Sequence, residues 1–118
     1  MNSVDMLHDI WALERLNDVA YQTNATQEHP SLEINTIEMQ AFGTDGCNRF
    51  TGPVDEVTSD QLRFGNLAST RRACRQGAEL SAAFLQALQA TERWSREGLE
   101  LQLLDGSGET LMTLRKVD

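Results

Sequence analysis

A chain of 118 residues with 40% hydrophobic side chains is long enough to bury one core and too short for two, and its composition excludes an intrinsically disordered protein. Its charge is unbalanced: 18 Asp and Glu stand against 10 Lys and Arg, a formal net charge of −8, and nine of the ten cations are Arg. Residues 1–60 hold eleven acids and two bases while residues 61–118 hold seven acids and eight bases, a balance that phosphate backbones repel and that argues against a nucleic-acid partner.

In chain order, the pattern predicts a single domain over 1–118, with 1–9 a loose lead before about seven or eight short strands and one helix. Trp11, Leu13 and Arg15 against Ala12, Glu14 and Leu16 predict a first strand of imperfect alternation. Residues 19–30 read as a polar loop closed by Pro30. Leu32 and Ile34, then Ile37, Met39 and Ala41, alternate with polar neighbours around Asn35-Thr36, which predicts a hairpin. Three glycines, a proline, Asp45 and Asn48 in 43–53 predict a loop or tight turn. Val54 and Val57 belong to a short strand, Ser59-Asp60 to a turn, and Leu62 and Phe64 to the next strand.

Leu80, Ala83, Phe84, Ala87 and Leu88 recur at helical spacing, so a helix is predicted at 78–90. Beyond it, Arg93–Ser95, the run Leu99, Leu101, Leu103, a turn at 105–108, and the alternating Leu111–Val117 read as an antiparallel meander. Alternation, rather than continuous apolar runs, predicts antiparallel strands wet on one face. The expected fold is therefore mainly β: a curled sheet or open barrel whose gap the helix covers.

Few residues invite chemistry. Cys47 and Cys74 are too few for a cysteine-rich scaffold. They suit either one disulfide or two buried thiols; a bridge closing about 27 residues would contribute about 3.5 kcal/mol in the chain-entropy model. His8 and His29 lie far apart in sequence, at no motif spacing from a Cys, so they read as solvated side chains and no metal site is expected. Trp11 and Trp94 read as core anchors. No pair of carboxylates forms a recognisable acid/base couple, and no cofactor motif is present, so no catalytic residue is assigned. Met1–Asp18 contains acids and no apolar run of signal-peptide length, and no segment has transmembrane length. This leaves open a cytoplasmic protein or a mature domain whose export segment has been removed.

Three pieces in order resemble the META domain family, the HslJ-like proteins of bacteria. Gly46-Cys47-Asn48-Arg49-Phe50-Thr51-Gly52 is similar to its G-C-N-x-x-x-G signature. Phe64–Cys74 resembles its F-G-x-L-A-x-T-x-M-A-C segment, and Glu79 with Phe84-Leu85-Gln86-Ala87-Leu88 resembles its E-x-x-F-L-x-A-L helix. An early Trp11-Ala12-Leu13 and a terminal Leu101–Leu111 run complete the order. One position departs: Arg72 stands where the family usually has Met.

The resemblance implies a mainly antiparallel β fold with a helix, and a non-enzymatic module of the cell envelope linked to heat shock, stress or antibiotic tolerance. The family's members are often exported lipoproteins, which would place the chain in the periplasm or at the outer membrane. A fold-level likeness to pilotins, which bind lipid or peptide, is the alternative, and an enzyme is the remote third. The signature residues Gly46, Cys47, Asn48, Gly52, Thr70, Cys74 and Glu79 are expected to be structural. Gly46 and Gly52 permit a left-handed backbone or a close approach, and Asn48 can bond neighbouring backbone. The candidate partner surface is the basic cluster Arg63, Arg71, Arg72 and Arg75, an anion patch before the helix suited to an acidic headgroup or a carboxylate-bearing peptide. Its bland reading is a set of surface ion pairs. The expected partner is a protein or lipid, and the expected state a monomer.

Overall fold

The computed structural model describes residues 4–17, 19–20, 29–70, 73–74 and 77–117. A 3-10 turn, Val4–Leu7, leads into β1 (Asp9–Leu16) and the two-residue β2 (Val19–Ala20). Then follow β3 (Ser31–Asn35), β4 (Gln40–Thr44), β5 (Arg49–Val57), β6 (Leu62–Phe64) and the two-residue β7 (Ala68–Ser69). The helix α1 (Ala78–Ala90) is followed by β8 (Arg93–Glu97), β9 (Glu100–Leu104) and β10 (Thr110–Lys116).

Eight strands pair in the order β6-β5-β4-β3-β1-β10-β9-β8, all antiparallel, with β2 beside β1 and β7 beside β5. The two ends of this path meet. Gln61 bridges Arg93, the Leu62 N–H donates to the Glu92 carbonyl at 3.1 Å, and the Trp94 N–H donates to the Asp60 carbonyl at 3.1 Å. The result is a nearly closed barrel, the mainly β fold with one helix that the alternation predicts, and its closure removes most of the exposed sheet edge.

Inward-facing side chains fill the barrel. Trp11, Leu13, Leu32, Ile34, Leu62, Trp94, Leu101, Leu103 and Met112 are all essentially fully buried. Each indole N–H is satisfied within the protein, Trp11 Nε1 on the Leu7 carbonyl at 3.2 Å and Trp94 Nε1 on the Thr58 carbonyl at 2.9 Å. The helix presents Ser81, Phe84, Ala87 and Leu88 to this core, and the Phe84 ring meets Phe50 edge-on at 6.0 Å. It begins after Gly77 at φ 79° and ends at Thr91, whose extended backbone breaks the period while its hydroxyl donates to the Ala87 carbonyl.

Five sequence expectations change. The segment 19–30 is not loop throughout: it opens on β2, Val19–Ala20, paired with β1, and 21–28 lie outside the described residues. The lead is not loose where it is described: Leu7 is fully buried, and the Met6 carbonyl accepts from Arg96 at 2.6 Å. The broken alternation in β1 is a bulge, because Leu13 pairs Leu114 while Arg15 pairs Thr113, and the extra residue turns Leu16 inward. Ile37 lies in the turn of the β3–β4 hairpin, 83% exposed, and β4 begins only at Gln40. Finally, 43–53 is mostly strand, with only residues 45–48 outside β4 and β5. Gly52 lies within β5 because a Cβ there would come within 2.6 Å of the Asn66 carbonyl oxygen and 2.8 Å of Leu67 Cδ2, so its small size permits close packing rather than a loop.

Candidate functional site

The turn between β4 and β5 is organised by a buried acid. Asp45 is 2% exposed, and its Oδ1 accepts the N–H groups of Cys47 at 2.9 Å and Asn48 at 2.7 Å, while its own N–H donates to the Asn48 carbonyl at 3.0 Å. A carboxylate taken out of water is costly unless hydrogen-bonded, and these donors supply that compensation. Gly46 takes φ 97°, a left-handed conformation that a side chain would strain, and its N–H donates to the Thr44 hydroxyl.

Two distant segments are fastened to this corner. The Ser81 hydroxyl on α1 donates to the Asp45 carbonyl at 3.0 Å. Cys47 is joined by a disulfide to Cys74, with 5.9 Å between their Cα atoms. Asn48 stands between the bridge and β7. Its Nδ2 lies 3.5 Å from the Cys47 sulfur, and its Oδ1 accepts the Thr70 hydroxyl at 3.0 Å. Thr70 Oγ1 in turn accepts the Arg49 N–H at 3.2 Å, and the Thr70 N–H donates to the Arg49 carbonyl.

Six of the seven signature residues, Gly46, Cys47, Asn48, Gly52, Thr70 and Cys74, thus belong to the corner, to the strand that leaves it or to the segments bonded to it. Glu79 does not; it is exposed on the first turn of α1. Sequence reasoning takes Asp45 only as one turn residue among several, not as the organiser of the corner, and passes over Ser81. Asp directly before Gly is turn chemistry that signalled the first, and Ser81 stands three positions before Phe84 on the buried helix face, a polar interruption that signalled the second. Among the described residues no three His, Cys, Asp or Glu side chains gather as a metal cluster. His8 accepts the Thr36 N–H on Nδ1 at 3.1 Å, and His29 Nε2 lies 2.8 Å from the Leu13 carbonyl, so both have protein partners rather than solvent alone.

Of the basic cluster, Arg63 is exposed on β6, beside a surface hollow it shares with Glu92 and Asp105. Arg71, Arg72 and Arg75 lie outside the described residues. A different concavity stands next to the corner. The outer face of β3, β4, β5 and β7 forms an open groove of about 690 Å³ in which Glu33, Phe42 and Arg49 are the large exposed or half-buried side chains, with the buried Phe50 also bordering it. Register sets their places: Glu33 pairs Phe42 and Phe42 pairs Thr51, while Arg49 stands one ladder step away opposite Thr44.

A family model described as META domain matches residues 4–118. No curated protein matches the chain. Among solved structures, an NMR structure of a protein from Burkholderia xenovorans superposes with a TM-score of 0.74 at 26% identity, covering 97% of this chain and 86% of that one. A second NMR structure gives 0.74 at 22% identity over 98% and 96% of the two chains. The crystal structure of a DUF4847 family protein from Bacteroides vulgatus gives 0.65 at 11% identity over 95% and 96%. At such identities the last two are alike in fold alone.

Proposed function

The chain belongs to the META domain family, and on that premise we propose that it is a non-enzymatic binding module of the bacterial cell envelope, acting in stress tolerance. The observation that carries this reading is the disulfide between Cys47 and Cys74 at the family's signature. Structural disulfides persist in oxidising compartments, the periplasm among them, and are rare in the cytosol of mesophiles. The signature residues around the bridge support a scaffold role, since their polar atoms are engaged with one another and with backbone rather than aimed at a reacting position.

A pilotin-like module holding lipid inside the barrel would need an internal apolar cavity. The side chains of Trp11, Trp94, Leu101, Leu103 and Met112 occupy that space, which favours an external binding surface over an internal one.

The test is fractionation of the native host with a thiol-alkylating reagent present from lysis onward, followed by intact-mass measurement. Recovery in the envelope fraction, with no adduct before reduction and two after it, is the expected result. Recovery in the cytosol with both cysteines alkylated overturns the envelope assignment. Deletion of the gene is expected to lower survival of heat or antibiotic challenge, and unchanged survival overturns the stress role.

A further inference from the structure

From the groove on the outer face of β3, β4, β5 and β7, we propose that this surface binds an extended peptide segment carrying a basic residue, an apolar residue and an acidic residue at alternate positions. The inference rests on the binding-module reading and names the ligand class and the place.

Charge complementarity carries it. Glu33 is half-buried and Arg49 is exposed, and neither side chain has an ion-pair or hydrogen-bond partner among the described residues. An acid and a base of opposite sign thus share one groove without pairing. Between them, on the strand that separates them, the Phe42 ring is 37% exposed. The hydroxyls of Ser31, Thr51 and Ser69 line the same surface, also without hydrogen-bond partners among the described residues, and offer donors and acceptors to a peptide backbone. A volume of about 690 Å³ lies within the range of ligand sites.

The spacing defines the pattern. Glu33 and Arg49 are separated by two strand intervals and one ladder step of two residues, which puts their Cα atoms about 12 Å apart across the sheet. An extended peptide advances about 3.3 Å per residue and presents i, i+2 and i+4 to one face, so the i to i+4 distance is about 13 Å. A Lys or Arg at i then reaches Glu33, an apolar residue at i+2 covers Phe42, and an Asp or Glu at i+4 reaches Arg49. A ligand with one sign of charge leaves one groove residue opposed by its like.

Titration of the ¹⁵N-labelled protein with blocked synthetic peptides containing Lys-Thr-Leu-Thr-Glu tests this. Saturable amide shifts confined to Glu33, Phe42, Arg49 and Thr51 are expected. Arg49→Ala or Glu33→Ala, both outward-facing and expected to melt as the parent does, weakens binding about fivefold, the worth of one exposed ion pair. The double exchange Glu33→Arg with Arg49→Glu prefers the peptide of reversed charge order. Absence of saturable shifts, equal shifts from a peptide with Ser in place of Lys and Glu, or shifts produced instead by a chitin oligosaccharide overturns the peptide inference. The chitin result leaves the binding-module reading standing, and the fractionation experiment is independent of all three.

Discussion

Ser81 and Asp45 are 36 residues apart in sequence and joined by a 3.0 Å hydrogen bond from the Ser81 hydroxyl to the Asp45 main-chain carbonyl, with both residues buried. This bond ties the first turns of α1 to the β4–β5 corner at the point where the disulfide also arrives. The helix is thus fixed to the barrel by a polar contact at one end and by Phe84 against Phe50 along its length.

Removing the Ser81 hydroxyl leaves the Asp45 carbonyl buried and without that donor. Ser81→Ala is therefore expected to cost about 1–2 kcal/mol. Asp45→Ala removes the acceptor of two N–H groups, that of Cys47 buried and that of Asn48 partly buried, and is expected to cost about 3 kcal/mol, while Asp45→Asn retains an oxygen at the same place and costs less than half as much. Urea denaturation of the three variants measures this order; an Asn variant as unstable as the Ala one would mean that charge, not the acceptor geometry, organises the corner.

Gly52 gives a second expectation. A Cβ there comes within 2.6 Å of the Asn66 main-chain oxygen, which a flexible side chain cannot relieve by moving aside. Gly52→Ala is expected to destabilise by about 2 kcal/mol, although alanine at an ordinary strand site costs little. An unchanged urea midpoint would show that β5 and the Asn66 segment separate without loss.

The same glycine shows why part of the fold was legible in the sequence and part was not. The helix at 78–90 was readable because Leu80, Phe84, Ala87 and Leu88 share one period and no proline interrupts them, and the structure has it at Ala78–Ala90. The stretch 43–53 reads as a loop because glycine and proline are local turn signals, whereas Gly52 answers to a close approach that only tertiary packing creates. The burial of Leu7 is hidden for a similar reason: Val4, Met6 and Leu7 follow no period in the acidic lead, and what holds the lead comes from elsewhere, Trp11 donating to the Leu7 carbonyl and Arg96 of β8 to the Met6 carbonyl. The corner was legible as a compact structural turn. The groove was not, because Glu33, Phe42 and Arg49 lie on three strands and only sheet register brings them together.

Acid stability has a local signature at the β9–β10 turn. The Ser107 hydroxyl bonds Asp105 Oδ1 at 2.6 Å, and the N–H groups of Glu109 and Ser107 donate to the same oxygen, so the Asp105 carboxyl is held below its ordinary value of 3.8, the Ser107 hydroxyl bond first among the causes. A depressed carboxylate pKa in the folded state contributes stability above 3.8 that fades as pH falls through the lower folded value. An NMR titration of the Asp105 carboxyl carbon is expected to give a midpoint below 3.8, and Ser107→Ala is expected to raise it toward that value. A midpoint at or above it would mean the turn does not hold these bonds in solution.

Arg96 fastens the start of the chain to the barrel, and its removal should act there first. Its guanidinium lies over the Trp11 ring at 5.1 Å, while Nη1 donates to the Met6 carbonyl at 2.6 Å and Nε to the Gly98 carbonyl at 2.8 Å. One planar group thus spans the N-terminal turn, the core tryptophan and the β8–β9 turn, a geometry that lysine's single ammonium cannot reproduce. Arg96→Ala is expected to cost about 2 kcal/mol, from the cation–π contact and the charged hydrogen bond to Met6 together. Arg96→Lys should recover less than half of that loss. Amide exchange locates the effect: the His8 N–H, which donates to the Asp5 carbonyl within the turn, should exchange faster in Arg96→Ala, while the Leu101 and Leu103 amides of β9 keep pace with global unfolding. Equal acceleration at all three positions would mean that Arg96 supports the whole barrel rather than the clasp.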